Sequence, residues 1–551
     1  MTEMPLLERC NARYMSKPNA RPTLRTAKLN LMAMAIGAIF LYIPLFLVLY
    51  ILTEHFLHKI RNLPPTPFPS IPILGHLHLL KKPIYRSLYN ISHRYGPVVF
   101  LRLGYRSILI VSSPSIAEEC LTKNDIVFAN RPRLLISKCF GYNNTNLVWS
   151  SYGDHWRNLR RICTVEILST HRLHMLSIVR LEEVRSLIQR LLKCENQLVN
   201  MKHEFFDLTF NLMLRMIVGK RFYGDDVDDV DEAKLFRELQ AESTRLSGKS
   251  NIGDFIPLIK WLGFGSTLEK DMMNCQNRRD TLMQSLIEQH RRRRMTEIDD
   301  SFRDGRKKTM IEVLLELQES EPEQYNDETI RALMLLMLVA GTETSGSIME
   351  WALSLLLNHP TILKKAQTEI DHQVGHERSI DESDMAHLPY LRGIINETLR
   401  MYPPAPLLVP HESSEDCSVG GYHIPRGTVL YINIWAIQND PKIWAHPRKF
   451  DPDRFNGHES ENYRFNLMPF GLGRRGCPGE GLGLRMIGLV LGSLIQCFEW
   501  ERPSEQLVDM TEGIAITMPK AQHLHAKCRP RPIIVNLLSQ TKSSPRPSTI
   551  V

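Results

Sequence analysis

The chain has 551 residues, 43% of them hydrophobic and 23% charged, with a formal charge of +8. These fractions exclude a wholly disordered, collagen-like or coiled-coil chain. The charge is terminal: residues 1–30 carry +4 and residues 513–551 carry +6 of the total. The span 31–512 is therefore slightly acidic and offers no basic body for nucleic acid.

Ten scattered cysteines contain no C-x-x-C pair. That argues against a disulfide framework or structural zinc site and fits a reducing compartment.

In chain order, residues 1–30 form a basic extension. Leu31–Leu52 is an uncharged run of 22 residues. As a helix it would be about 33 Å long, against about 30 Å of bilayer hydrocarbon. Thr53-Glu54-His55-Phe56 follows it, without the small residues of a cleavage site. The pattern predicts one transmembrane helix over 31–53. Residues 54–76 contain Pro64, Pro65, Pro67, Pro69 and Pro72, which predict a stiff, extended hinge holding a body off the membrane. The body is expected over 77–535, followed by a disordered tail over 536–551.

Within the body, Val98–Val111 predicts a two-stranded hairpin and Val429–Ile434 a strand. Helical patterns cover about 172–193, 270–294, 327–357, 360–374, 385–401 and 480–498. The expected fold is mainly α with a small β-rich part.

The strongest chemical signal is Pro469-Phe470-Gly471-Leu472-Gly473-Arg474-Arg475-Gly476-Cys477-Pro478-Gly479. Glycines and prolines crowd Cys477 just before a helix begins. Free backbone N–H groups, the positive dipole end and two arginines are expected to lower its thiol pKa. A thiolate in a tight loop suits axial ligation of haem iron. Elsewhere, Glu397 and Arg400 share a helix face and can pair. Ala340-Gly341-Thr342-Glu343-Thr344-Ser345 is expected to interrupt a buried apolar helix, with Thr344 bonding back to a carbonyl four residues earlier. Trp156 and Arg160 also share one helix face.

Together, in this order along the chain, these motifs resemble the haem-thiolate monooxygenases (cytochromes P450), from about Met32 to Pro532. The resemblance implies haem b as cofactor, with Cys477 as the metal ligand and Phe470 packed on its loop. It implies that Arg475, Trp156, Arg160 and His411 contact the haem propionates. Thr344 would hold dioxygen and water, and Glu343 would belong to the proton-delivery path. Arg454 in Phe450-Asp-Pro-Asp-Arg-Phe455 would join Glu397 and Arg400 in a structural triad.

Phe128-Ala-Asn-Arg-Pro132, Leu147-Val-Trp-Ser-Ser-Tyr-Gly-Asp-His-Trp-Arg157, Val409-Pro-His-Glu-Ser-Ser-Glu-Asp-Cys417 and Asp509-Met-Thr-Glu-Gly513 narrow the likeness. They resemble plant microsomal isoflavone 2'/3'-hydroxylases. A small hydrophobic aromatic substrate is implied, lined by Leu134–Val148, Leu338–Gly341, Ala405–Leu408 and Gly513–Ile516. Electrons would come from NADPH through a separate cytochrome P450 reductase, at the endoplasmic reticulum membrane with the body cytosolic. Intact Glu343 and Thr344 count against a haem-thiolate isomerase or dehydratase. A non-catalytic membrane scaffold is the rival from another class.

Residues 11–30 hold five Lys/Arg against two in 54–73, which alone would favour a lumenal body. The reading adopted makes the extension dispensable or a mis-assigned start, with Met32 or Met34 the functional initiator; an Arg-rich organelle-targeting segment is the alternative. The sequon Asn143-Asn144-Thr145 reports the side of the membrane.

Overall fold

A computed structural model describes residues 24–223, 230–249, 251–261, 263, 265–296, 308–456 and 464–533. The extension before Leu24 and the tail over 536–551 lie outside the described residues. The chain divides into two units, Met1–Ile60 and Arg61–Val551.

In the first unit, α1 (Leu24–Ile60) is one 37-residue helix, about 55 Å long. It contains the whole uncharged run, and Leu31, Met32, Met34, Phe46, Leu49 and Leu52 are exposed on it. Pro44 lies within the helix and does not end it. The helix also continues past residue 53, so the proline-rich path begins only at Arg61.

That path belongs to the second unit and is not a free spacer. Proline lacks an N–H but keeps its carbonyl, and sheet edges supply donors. Pro65 O accepts from Phe100 N at 2.9 Å, and Pro67 O accepts from His76 Nε2 at 2.8 Å. Asn62 Nδ2 donates to Gly421 O at 3.0 Å.

The predicted hairpin forms as β1 (Val98–Leu103) and β2 (Arg106–Val111), antiparallel, with Val98 opposite Val111. At its turn Gly104 has φ +61°, and a Cβ there would lie 1.9 Å from Phe255 O. No side chain fits that approach. The other strands are β3 (Leu198–Asn200), β4 (His411–Glu412), β5 (Cys417–Val419), β6 (Tyr422–Ile424), β7 (Val429–Ile432), β8 (Phe498–Glu501) and β9 (His525–Pro530). They make sheets ordered β1-β2-β7-β4, β3-β9-β8 and β5-β6. β7 runs parallel to β2 and antiparallel to β4.

The helices that position the site are α2 (Asp154–Arg161), α3 (Met201–Val218), α4 (Ser266–Thr296), α5 (Asp327–Asn358), α6 (Pro389–Met401) and α7 (Glu480–Cys497). Helix α5 packs against α3, α6 and α7, and all its residues from Ser345 to Leu357 are buried. α5 and α7 are long and apolar enough to cross a membrane, yet 67% and 78% of their most apolar windows are buried inside the body. Their apolarity builds the core.

The expected interruption of α5 is absent: the helix is continuous through Gly341. Thr344 does bond back, Oγ1 donating to Ala340 O at 2.7 Å. Glycine at 341 has another cause, since a Cβ there would lie 2.5 Å from Met213 Sδ on α3. A side chain at 341 would displace Met213 from the α3–α5 contact.

Candidate active site

The Cys477 loop is a set of tight turns ahead of α7. Cys477 N donates to Phe470 O at 2.8 Å, Gly471 N to Met468 O at 3.0 Å and Gly476 N to Gly473 O at 3.1 Å. Gly471 and Gly473 have φ of +65° and +70°, the left-handed region that favours glycine. At Gly473 a Cβ would also lie 2.5 Å from Asp125 Oδ1. Asp125 accepts from Arg474 N at 3.2 Å and pairs with the Arg474 guanidinium at 2.5 Å. Arg474 is thus engaged at the surface by Asp125.

Cys477 itself lines a cavity of about 310 Å³, and its exposed surface faces that space inside the protein. Burial pushes its thiol pKa up, opposite to the expected lowering. The Gly479 and Glu480 N–H groups and Arg160 pull the other way without reversing it. Desolvation outweighs the helix-end and arginine effects here.

The same cavity collects Trp156 and Arg160 from α2, Thr344 from α5, His411 from β4, and Phe470 and Arg475 from the cysteine loop. Trp156 Nε1 donates to Leu147 O at 3.1 Å, and the Arg475 guanidinium lies 4.4 Å from the Trp156 ring centroid. Arg475 donates to Ala129 O, Leu147 O and Ser150 O at 2.7, 3.2 and 2.5 Å. Arg160 donates to Gly476 O at 2.6 Å. His411 is buried, not a surface residue, and its Nδ1 donates to Phe128 O at 2.8 Å.

Arg131 is a cavity residue that the motif reading gave no role. It is buried and donates to Val148 O, Val409 O and Pro410 O at 3.1, 2.7 and 2.8 Å. Its signal was the arginine inside Phe128-Ala-Asn-Arg-Pro132, but only the fold shows where it goes.

These cations repel one another. Burial lowers Arg131 well below its usual pKa, and Arg475 adds to this. Burial, then Arg160, lowers Arg475 to about 10. Burial, then Arg131, holds His411 well below the usual imidazole range, with its backbone bond opposing and Arg475 adding to the depression. Among the described residues, no Asp or Glu lines the cavity. A buried cationic cluster without a carboxylate fits a ligand that brings its own anions. A thiol and apolar walls from Leu168, Leu482, Met486 and Ile348 complete a fit to haem with two propionates.

Glu343 stands apart. It pairs with Lys202 at 3.1 Å and lines a neighbouring open cavity with Lys202, Arg237, Gly513 and Lys520, not the cavity of Cys477. Of the expected substrate segments, Leu147, Val148, Ala340, Gly341, Ala405 and Leu408 line the main cavity. Gly513, Ile514 and Ala515 line the Glu343 cavity instead.

The triad assembles. Glu397 accepts from Arg400 at 2.6 and 2.8 Å, both residues fully buried. Arg454 Nε reaches the same carboxylate at 3.2 Å.

The chain belongs to the cytochrome P450 family, whose model matches residues 64–525. It is a haem-thiolate monooxygenase that resembles plant isoflavone hydroxylases. It is 48% identical to an isoflavone 3'-hydroxylase of Medicago truncatula over 86% of this chain and 94% of that one. It is 46% identical to a (+)-piperitol/(+)-sesamin synthase of Sesamum radiatum over 88% of this chain and 93% of that one. A zebrafish cytochrome P450 structure with progesterone shares the fold, with a TM-score of 0.71 and 24% identity over 82% of this chain and all of that one.

Proposed function

We propose that this protein inserts one oxygen atom from O₂ into an aromatic C–H bond of a flavonoid-type plant metabolite. The observation that carries this reading is the shared cavity: Cys477, a basic cluster without a carboxylate in the described lining and Thr344 converge in otherwise apolar walls. Apolar walls with few polar groups suit a flat hydrophobic substrate. A second reading, a lignan substrate, is favoured by the likeness to the piperitol/sesamin synthase.

In this reading Cys477 holds the iron, while Arg131, Arg160, Arg475 and His411 hold the propionate end, with Trp156 shelving Arg475. Phe470 packs on the ligand loop. The bound haem supplies dioxygen activation. Thr344 Oγ1 has its proton directed to Ala340 O, which leaves its lone pairs to accept from water in the cavity. Glu343, paired with Lys202 at the neighbouring open cavity, is placed to exchange protons with solvent. Leu147, Val148, Ala405 and Leu408 exclude water around the substrate.

The exposed apolar side chains of α1 support a membrane anchor over 31–53. A cytosolic body at the endoplasmic reticulum, drawing NADPH electrons through a separate reductase, goes with it. Asn143 is exposed, so a lumenal body would carry glycan there.

The test is twofold. Reduced protein with carbon monoxide should give the red-shifted thiolate Soret band, and Cys477→Ala should lose it. Reconstitution with reductase and NADPH should then hydroxylate a flavonoid or isoflavonoid. Absence of turnover across both flavonoid and lignan panels would sink the substrate reading while leaving the family assignment intact.

A further inference from the structure

The triad lies away from Cys477 in sequence, and its own bonds stop short of the cysteine loop. Arg400 donates to Gln438 O and Pro447 O, both at 2.7 Å. Among these contacts one side chain carries the connection onward. Gln438 is fully buried on the short helix Ile434–Gln438. Its Nε2 donates to Leu399 O at 3.1 Å and Arg400 O at 3.0 Å, carbonyls in the last turn of α6 that a helix end leaves short of partners. Its Oε1 accepts from Met468 N at 3.2 Å. Met468 O in turn accepts from Gly471 N, and Phe470 O accepts from Cys477 N.

We propose that Gln438 is the positioning residue that sets where the Cys477 loop sits on the triad helix, and so fixes the sulfur against the haem iron. The amide is suited to this, because it donates to α6 and accepts from the loop at once. A glutamate keeps only the acceptor, and a methionine of similar length keeps neither. No other residue does this from the α6 side among the contacts described. Asp125 holds the loop at the surface through Arg474.

Gln496 provides a matched control. It is equally buried and also bridges two segments, accepting from Ile380 N at 3.0 Å and donating to Arg378 O at 3.0 Å. None of those contacts involves the cysteine loop.

The experiment compares Gln438→Met, Gln438→Glu and Gln496→Met in the full-length, haem-loaded protein. Three quantities are read at matched haem content: the carbon monoxide Soret position, the iron reduction potential and the rate of haem loss to an acceptor globin. Gln438→Met should move part of the population to the short-wavelength band of a non-thiolate ligand, shift the potential upward and speed haem loss roughly tenfold, as loss of one buried bond to a loop implies. Gln438→Glu should give a smaller shift of the same sign. Gln496→Met should lower the melting temperature without moving band or potential. Unchanged band, potential and haem loss in both Gln438 variants would overturn the proposal. So would equal shifts in Gln496→Met. If Gln438→Met fails to load haem, Gln438→Glu alone decides, and a wild-type band and potential there count against it.

Discussion

Two buried clusters of charge in this protein differ in one respect: where their counter-charge comes from. Glu397 gives Arg400 and Arg454 one shared carboxylate through bonds of 2.6–3.2 Å. Arg131, Arg160, Arg475 and His411 face a cavity with no carboxylate in its described lining and find backbone carbonyls instead, while burial depresses all four and neighbouring cations add to it at Arg131, Arg475 and His411. A closed cluster does structural work, since its own carboxylate and the carbonyls of Gln438, Pro447 and His446 partner both guanidiniums without a ligand. An open cluster is unfavourable until an anion arrives, and that is the mark of a binding site.

The largest effect should come from opening the closed cluster. Glu397→Gln leaves the Arg400 and Arg454 guanidiniums without their shared carboxylate charge and turns one of its two acceptor oxygens, which also serve Asp451 N, into an NH₂ donor. Breaking one side of a fully buried pair costs about 3–5 kcal/mol. A urea unfolding midpoint should fall accordingly, and little haem-loaded protein should be recovered. A midpoint within error of wild type would break the contrast between the clusters.

Removing a member of the open cluster should do the reverse. Arg160 makes one protein hydrogen bond from its side chain, to Gly476 O, and adds to the repulsion felt by Arg475. Arg160→Met should therefore move the unfolding midpoint by less than about 1 kcal/mol. Haem retention should fall roughly 10- to 100-fold, the worth of a charge-assisted bond to a carboxylate. Transfer to excess acceptor globin measures it. A stability loss as large as that of Glu397→Gln would mean Arg160 belongs to the architecture, not to the site.

The contrast also explains what was readable in the sequence. The cysteine loop and the Glu397–Arg400 pair are legible because their partners lie within a few residues or one helix turn. Arg131 is not, because its role comes from reaching Val409 and Pro410 across the fold. α3 escaped the periodic reading because it is buried on nearly every side and so has no apolar stripe to find. The division of Glu343 from Thr344 was within reach: adjacent residues on a helix of 3.6 residues per turn point about 100° apart, so one can face the main cavity and the other the open one. The Cys477 pKa was not, since it turns on burial that outweighs the Gly479 and Glu480 N–H groups and Arg160, an arginine the fold brings from α2.

The smallest effect is a pH dependence, and it sharpens the contrast most. His411 is held well below the usual imidazole pKa by burial first, then by Arg131, with Arg475 also acting; only its bond to Phe128 O opposes them. In the unfolded chain it binds a proton below about pH 6.5, while in the ligand-free fold it does not. Stability attributable to it is thus present above pH 6.5 and falls as the pH drops below that value, by at most about 1.4 kcal/mol per pH unit. His411→Phe should flatten that acid-side slope in unfolding measurements from pH 7.5 to 5. In the haem-loaded protein a propionate beside His411 would favour the imidazolium and oppose the depression, so the slope should shrink there even in the wild type. Equal slopes with and without haem would place His411 outside the reach of the ligand's anions, and leave the open cluster to the three arginines.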